Sequence, residues 1–127
     1  MSRHLILLPA SEAEWAALPA EEHEKGMRAH QRFHEELAAG GHRLVVASPL
    51  RPSAEAVSMR PDGAGGALLT DGPFTESVEQ VVGFYLVETD DREGLLAACR
   101  QLASTGDRIE FRDLIQPGET DDDGGVA

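Results

Sequence analysis

"VVGFYLVETDDREGLLAACRQLASTGDRIEFRDLI", residues 81–115, reads as a strand, a helix and a second strand. The opening apolar run is short and rich in Val, Phe and Tyr, which predicts a central strand. Gly83 inside it marks a bulge or a place where another backbone comes close. Asp90 and Glu93 have capping-box spacing and predict the helix start, and Gly106 predicts its end. On that helix Leu95, Cys99 and Leu102 share one face, flanked by Leu96 and Ala103. Cys99 therefore reads as a small buried hydrophobe. "RIEFRDLI" then alternates, with Ile109, Phe111 and Ile115 on one side and Arg108, Glu110 and Arg112 on the other, as in a half-exposed strand.

The N-terminal half repeats this plan. "RHLILL" is an apolar strand ended by Pro9, and Ser11 can start a short helical turn near Trp15. A longer helix follows, from about Pro19 to the Gly40, Gly41 stop, with Glu21, Glu22 and Glu24 where the helix dipole favours acids. "RLVVA", "EAVSMR" and "ALLT" read as strands, and "PDGAGG" as a turn. The order is βαββαβ with an added central hairpin, an α+β, ferredoxin-like pattern. Two helices cover one face of such a sheet, so the other face predicts a second subunit and hence a homodimer.

The formal charge of −12 over 127 residues argues against direct nucleic acid binding, which relies on basic surfaces. No apolar run is long enough for a membrane span or a signal peptide, and the single cysteine suits a reducing compartment; together they predict a cytoplasmic protein. Residues 1–116 read as one domain. Residues 117–127, "PGETDDDGGVA", have four acids and no base and read as a disordered acidic tail.

On a helical wheel His23, His30 and His34 fall on the apolar stripe of the long helix, between Leu37 and Met27. A partly desolvated mid-helix imidazole is a natural proton acceptor at neutral pH, which makes His30, and after it His34, candidates for chemistry. Packing at the core edge is the alternative for each. The i, i+4 spacing of His30 and His34 would suit a metal only with a third ligand from His4, His23 or Asp71, so neither a metal nor a cofactor is expected. No phosphate-binding loop is present in "PDGAGG", and no nucleophile elbow surrounds Ser48.

At "TDGPF", residues 70–74, Asp71 can accept backbone N–H groups ahead, Gly72 supplies an unusual φ, and Pro73 stops the strand. Ser77 and Gln80 have capping spacing and predict a brief helical turn. The carboxylate of Asp71 then sits at a strand end, a common place for sites.

"TDGPFTESVEQVVGFYLVE" resembles the motif of the DGPF branch of the YCII-related proteins, on Asp71, Gly72, Pro73, Phe74, Glu76, Glu79, Gly83, Phe84 and Tyr85. Val78 stands where that family usually has lysine, which leaves any role of that lysine without a counterpart. "HLILL", "HQRFHEELAAGGHRLVVASPLRP" and "DREGLLAACRQLA" extend the likeness more loosely over most of the chain. The resemblance implies a dimeric α/β barrel with a site built from a helix histidine, best matched by His30, and an acid, for which Asp71 is the candidate. Related barrels act on small cyclic or aromatic molecules, and DGPF proteins are linked to sigma factors of the extracytoplasmic-function type.

Two functions follow as expectations. One is a small-molecule enzyme of the lyase or isomerase kind, with His30 moving a proton and Asp71 orienting it. His34, Gly72, Pro73, Phe74, Glu76 and Tyr85 would surround the ligand, and Arg51 or Arg112 would hold its anion. The other is a non-catalytic dimeric binding or regulatory module whose acidic body meets a protein such as a sigma factor.

Overall fold

The computed structural model describes residues 1–75 and 77–119. The strands are β1 (Ser2–Ser11), β2 (Arg43–Pro49), β3 (Val57–Pro61), β4 (Ala67–Asp71), β5 (Glu79–Thr89) and β6 (Glu110–Asp113). The helices are α1 (Glu12–Ala17), α2 (Ala20–Ala39) and α3 (Arg92–Ser104), with a 3-10 turn at Ser53–Glu55. An antiparallel sheet in the order β2-β5-β1-β6 carries the ferredoxin-like α+β fold, and β3 with β4 forms a separate two-stranded sheet, the added hairpin.

Strict alternation along β5 assigns its two faces. Gly83, Tyr85, Val87 and Thr89 are buried, while the residues between them are half-buried. With Ile6 of β1, the buried set meets α2 and α3 through Ala29, Phe33, Leu37, Leu95, Ala98, Cys99 and Leu102. Phe33, Leu37, Ile6, Leu95 and Val87 are 1% exposed or less, so this one layer holds most of the hydrophobic stabilisation. Cys99 is 4% exposed, and burial pushes its thiol up to about 11, which makes it inert at neutral pH.

On the opposite face the register sets Leu5 across from Leu86, Leu7 across from Phe84, and Val46 beside Leu86. Neither α2 nor α3, which pack on the buried face, covers this one. At its rim Arg3 and Arg43 both bind Glu88, whose carboxyl they hold below the usual range.

Three boundaries differ from the sequence expectation. Pro9 does not end β1: the register shifts between Leu8 and Pro9, which face Gly83 and Val81, so Val82 bulges and the strand accommodates the proline. The bulged Val82 carbonyl accepts the Leu50 N–H at 2.8 Å. A Cβ on Gly83 would lie 3.2 Å from the Ser48 carbonyl, so both meanings of that glycine, bulge and close approach, are present. The α3 cap is Asp91 rather than Asp90, because the Asp91 side chain accepts the Gly94 N–H at 2.9 Å. Finally, residues 75 and 77–80 form no helix. Gln80 Nε2 instead donates to the Thr75 and Ser77 carbonyls, closing an irregular turn.

Ser11 does cap α1 as expected, accepting the Glu14 N–H, and Pro19 sits at the N-cap of α2. Of the expected acidic tail, residues 117–119 make a turn in which Glu119 accepts the Gln116 N–H. Residues 120–127 lie outside the described residues.

Candidate functional site

His30 projects from the middle of α2 toward β5, which is where the helical stripe places it. Its Nδ1 stands 2.7 Å from the Tyr85 hydroxyl, and its Nε2 2.8 Å from Asp107 Oδ2. The two rings are parallel within 1°, with centroids 5.9 Å apart. Tyr85 is wedged edge-on against Phe33 and His34, at 4.9 and 5.4 Å. Burial, and then the Asp107 charge, push the Tyr85 phenol up to about 12, so at neutral pH it is a hydrogen-bond donor.

The tautomer follows from the partners. A carboxylate beside Nε2 favours a proton there, leaving Nδ1 to accept the Tyr85 O–H. The Asp107 contact is close but off-axis, so the buried Oδ2 has no aligned donor among the described residues. The side chains of His30 and Asp107 remain 28% and 33% exposed. A fixed imidazole thus meets a carboxylate whose Oδ2 is buried while its side chain stays partly exposed, which sets a donor and an acceptor of protons side by side.

The acid beside His30 is Asp107, not Asp71. Gly106 is legible in the sequence as the helix end, but no local signal ties the next residue to α2. Gly106, at φ +115°, turns the backbone after α3 and delivers Asp107 toward α2. Asp71 is exposed at the end of β4, and among the described residues its carboxylate accepts no backbone N–H and makes no ion pair. The corner is held by its glycine instead. Gly72, at φ +98°, donates its N–H to the Ala56 carbonyl at 2.6 Å, and its own carbonyl accepts the Ser58 hydroxyl at 2.6 Å.

The remaining candidates are dispersed. Pro73 is half-buried beside Gly72, Phe74 is 75% exposed, and Glu76 lies outside the described residues. Arg51 forms a two-pronged pair with Glu55 at 3.1 Å, and Arg112 pairs with Glu110 at 3.4 Å, so each is already occupied. His34 is exposed, and its neighbour on the stripe, Met27, is 71% exposed, so this flank of α2 lies open rather than packed. His23 Nε2–H donates to the Trp15 carbonyl at 2.6 Å, and its ring lies 4.5 Å from the indole. Among the described residues, no cluster of three or more His, Cys, Asp or Glu side chains is placed to hold a metal. No helix among them is long and apolar enough to cross a membrane. A groove of about 170 Å³ between α2 and α3, lined by Arg32, Phe33, Gln101 and Thr105, runs nearby without including His30.

A ferredoxin-like sheet with a helix-borne histidine held against a strand tyrosine and a loop carboxylate defines an α+β protein with one titratable centre beneath α2. The model of the YCII-related domain matches residues 2–113, and the chain belongs to the YCII-related family. An uncharacterized protein of Rhizobium meliloti (strain 1021) is 31% identical over 121 residues, which span 91% of this chain and 96% of that relative.

Proposed function

We propose that the His30–Asp107 pair is the proton-transfer centre of a small-molecule enzyme of the lyase or isomerase type. The observation that carries this reading is the imidazole fixed on both sides, with Tyr85 on Nδ1 and the partly exposed Asp107 carboxylate beside Nε2. In such a reaction the Asp107 carboxylate, on a side chain that is one-third exposed, takes a proton from a carbon next to a carbonyl, and His30 Nε2–H stabilises the oxyanion that develops. Tyr85 holds the ring in the tautomer this requires. Small cyclic or aromatic carbonyl compounds fit the chemistry.

The sheet face turned away from α2 and α3 supports a homodimer as part of this reading, since a second copy would cover Leu5, Leu7, Val46, Phe84 and Leu86. In that assembly the corner residues Asp71, Gly72, Pro73 and Phe74 are the ones to test as contributors to a neighbouring site. The test is deuterium uptake from heavy water into a panel of small cyclic 1,3-diketones and unsaturated lactones, followed by NMR. Uptake that disappears in His30→Gln and Asp107→Asn is expected. A panel left unlabelled by the folded wild type, with no ligand line broadening, removes the reading.

A second reading is carried by the hairpin, whose Val57, Met59, Leu68 and Leu69 are 48–63% exposed on an acidic chain. It makes the protein a dimeric binding module for a partner such as a sigma factor. Binding to a purified extracytoplasmic-function sigma factor that weakens with salt supports it. No binding at low salt eliminates it.

A further inference from the structure

We propose that Ser2, His4 and Asp113 form a second, covalent site in which Ser2 takes the acyl group of a small activated ester. His4 Nε2 lies 2.9 Å from Ser2 Oγ, and His4 Nδ1 lies 2.8 Å from Asp113 Oδ1. The register assembles all three: Ser2 and His4 are two apart on β1 and share a face, and Asp113 is the β6 residue opposite His4. This site shares no residue with the His30 pair.

The group is rigid where a nucleophile's base must be. His4 is 2% exposed, and its ring stacks on Phe111 at 5.3 Å. Arg92 grips Asp113 with Nε and Nη2, each at 3.0 Å, and extends over the Phe111 ring. Arg92, and more weakly His4, hold the Asp113 carboxyl below its usual range. Asp113 is therefore a positioning residue: it keeps a proton on Nδ1 and turns the Nε2 lone pair toward Ser2.

Both protonation states of the ring are provided for. With His4 neutral, the Ser2 hydroxyl donates to Nε2; with His4 charged, Nε2–H donates to Ser2, whose hydroxyl then donates to the Thr89 carbonyl at 3.2 Å. The proton can move without stranding a buried polar group.

In the reaction Ser2 Oγ adds to the acyl carbonyl as its proton passes to His4 Nε2. The adduct collapses with loss of the C–O bond to the alcohol, which departs with the proton from Nε2 and leaves the acyl group as an ester on Ser2. Water, deprotonated by the same nitrogen, adds to that ester and releases the carboxylic acid and the free Ser2 hydroxyl.

The experiment treats the full chain with p-nitrophenyl acetate and, separately, an alkyl fluorophosphonate, then maps adducts by peptide mass spectrometry. A single adduct on Ser2 is expected, absent from Ser2→Ala and slowed at least about a hundredfold by His4→Gln. Because His4→Gln can unfold the chain, Asp113→Asn is the second variant: it should slow labelling with an unchanged far-ultraviolet spectrum, and Asp113→Glu should restore part of the rate. Adducts scattered over other residues, no adduct on Ser2, or equal labelling of Ser2 in urea overturn the proposal.

Discussion

Two histidines in this chain each have a carboxylate on one ring nitrogen and a hydroxyl on the other, and they differ in what surrounds them. His4 is sealed at 2% exposure among strands, with its carboxylate gripped by Arg92. The His30 side chain is 28% exposed, spans helix, strand and loop, and leans on an off-axis Asp107. The same three chemical groups thus make a rigid assembly where strand register sets them and a looser one where a helix and a turn must cooperate. Stability should depend mainly on the first, where solvent meets the group only at the half-buried Ser2, while the second meets solvent at the imidazole itself.

The largest effect expected from this contrast is in stability. His4→Ala should cost about 2–4 kcal/mol, combining a cavity beneath Phe111 with the loss of Asp113's buried partner. His30→Ala should cost under about 1 kcal/mol, because water replaces much of what it loses. Urea unfolding of the two variants measures the difference, and equal losses would break the contrast. Tyr85→Phe comes next. It removes one buried hydroxyl whose partner solvent can reach, for about 1 kcal/mol by the same assay.

Acid should act mainly through the His4 side. The Asp113 carboxyl is held below its ordinary value of 3.8, first by Arg92. A depressed folded value means that the unfolded chain binds the proton more readily. The contribution is therefore present above the ordinary value and is lost as pH falls through the depressed one. Arg92→Gln should shrink that acid-dependent loss in melting curves recorded from neutral to low pH, and an unchanged profile would argue against the Arg92 grip. The smallest effect is spectroscopic. In Asp107→Asn the Tyr85 phenol should titrate somewhat below about 12 but still above a free tyrosine, because burial is the larger cause. A near-ultraviolet titration reads it.

Element types were legible because each has a local cause: alternation in β5, the glycine stop of α2, and the Ser11 cap of α1. His30 was legible for the same reason, being a matter of angle around one helix. Its acid was not. Asp107 reaches His30 across 77 positions of sequence through a backbone turn at Gly106, whereas Asp71 stood out only because its neighbours make a conspicuous corner. The Ser2–His4–Asp113 set was hidden by register, since a residue on β6 finds its partner on β1 only once the strand order is known.

The hairpin of β3 and β4 carries one more implication. Its entry and exit are clasped by the bond from Gly72 N–H to the Ala56 carbonyl, and among the described residues it packs extensively against no other element of its own chain. A segment whose two ends already touch can be lengthened, shortened or recoloured with little consequence for the sheet that bears it. In evolutionary terms the hairpin is an appendage on which sequence drift can change what the protein meets while leaving what folds it alone.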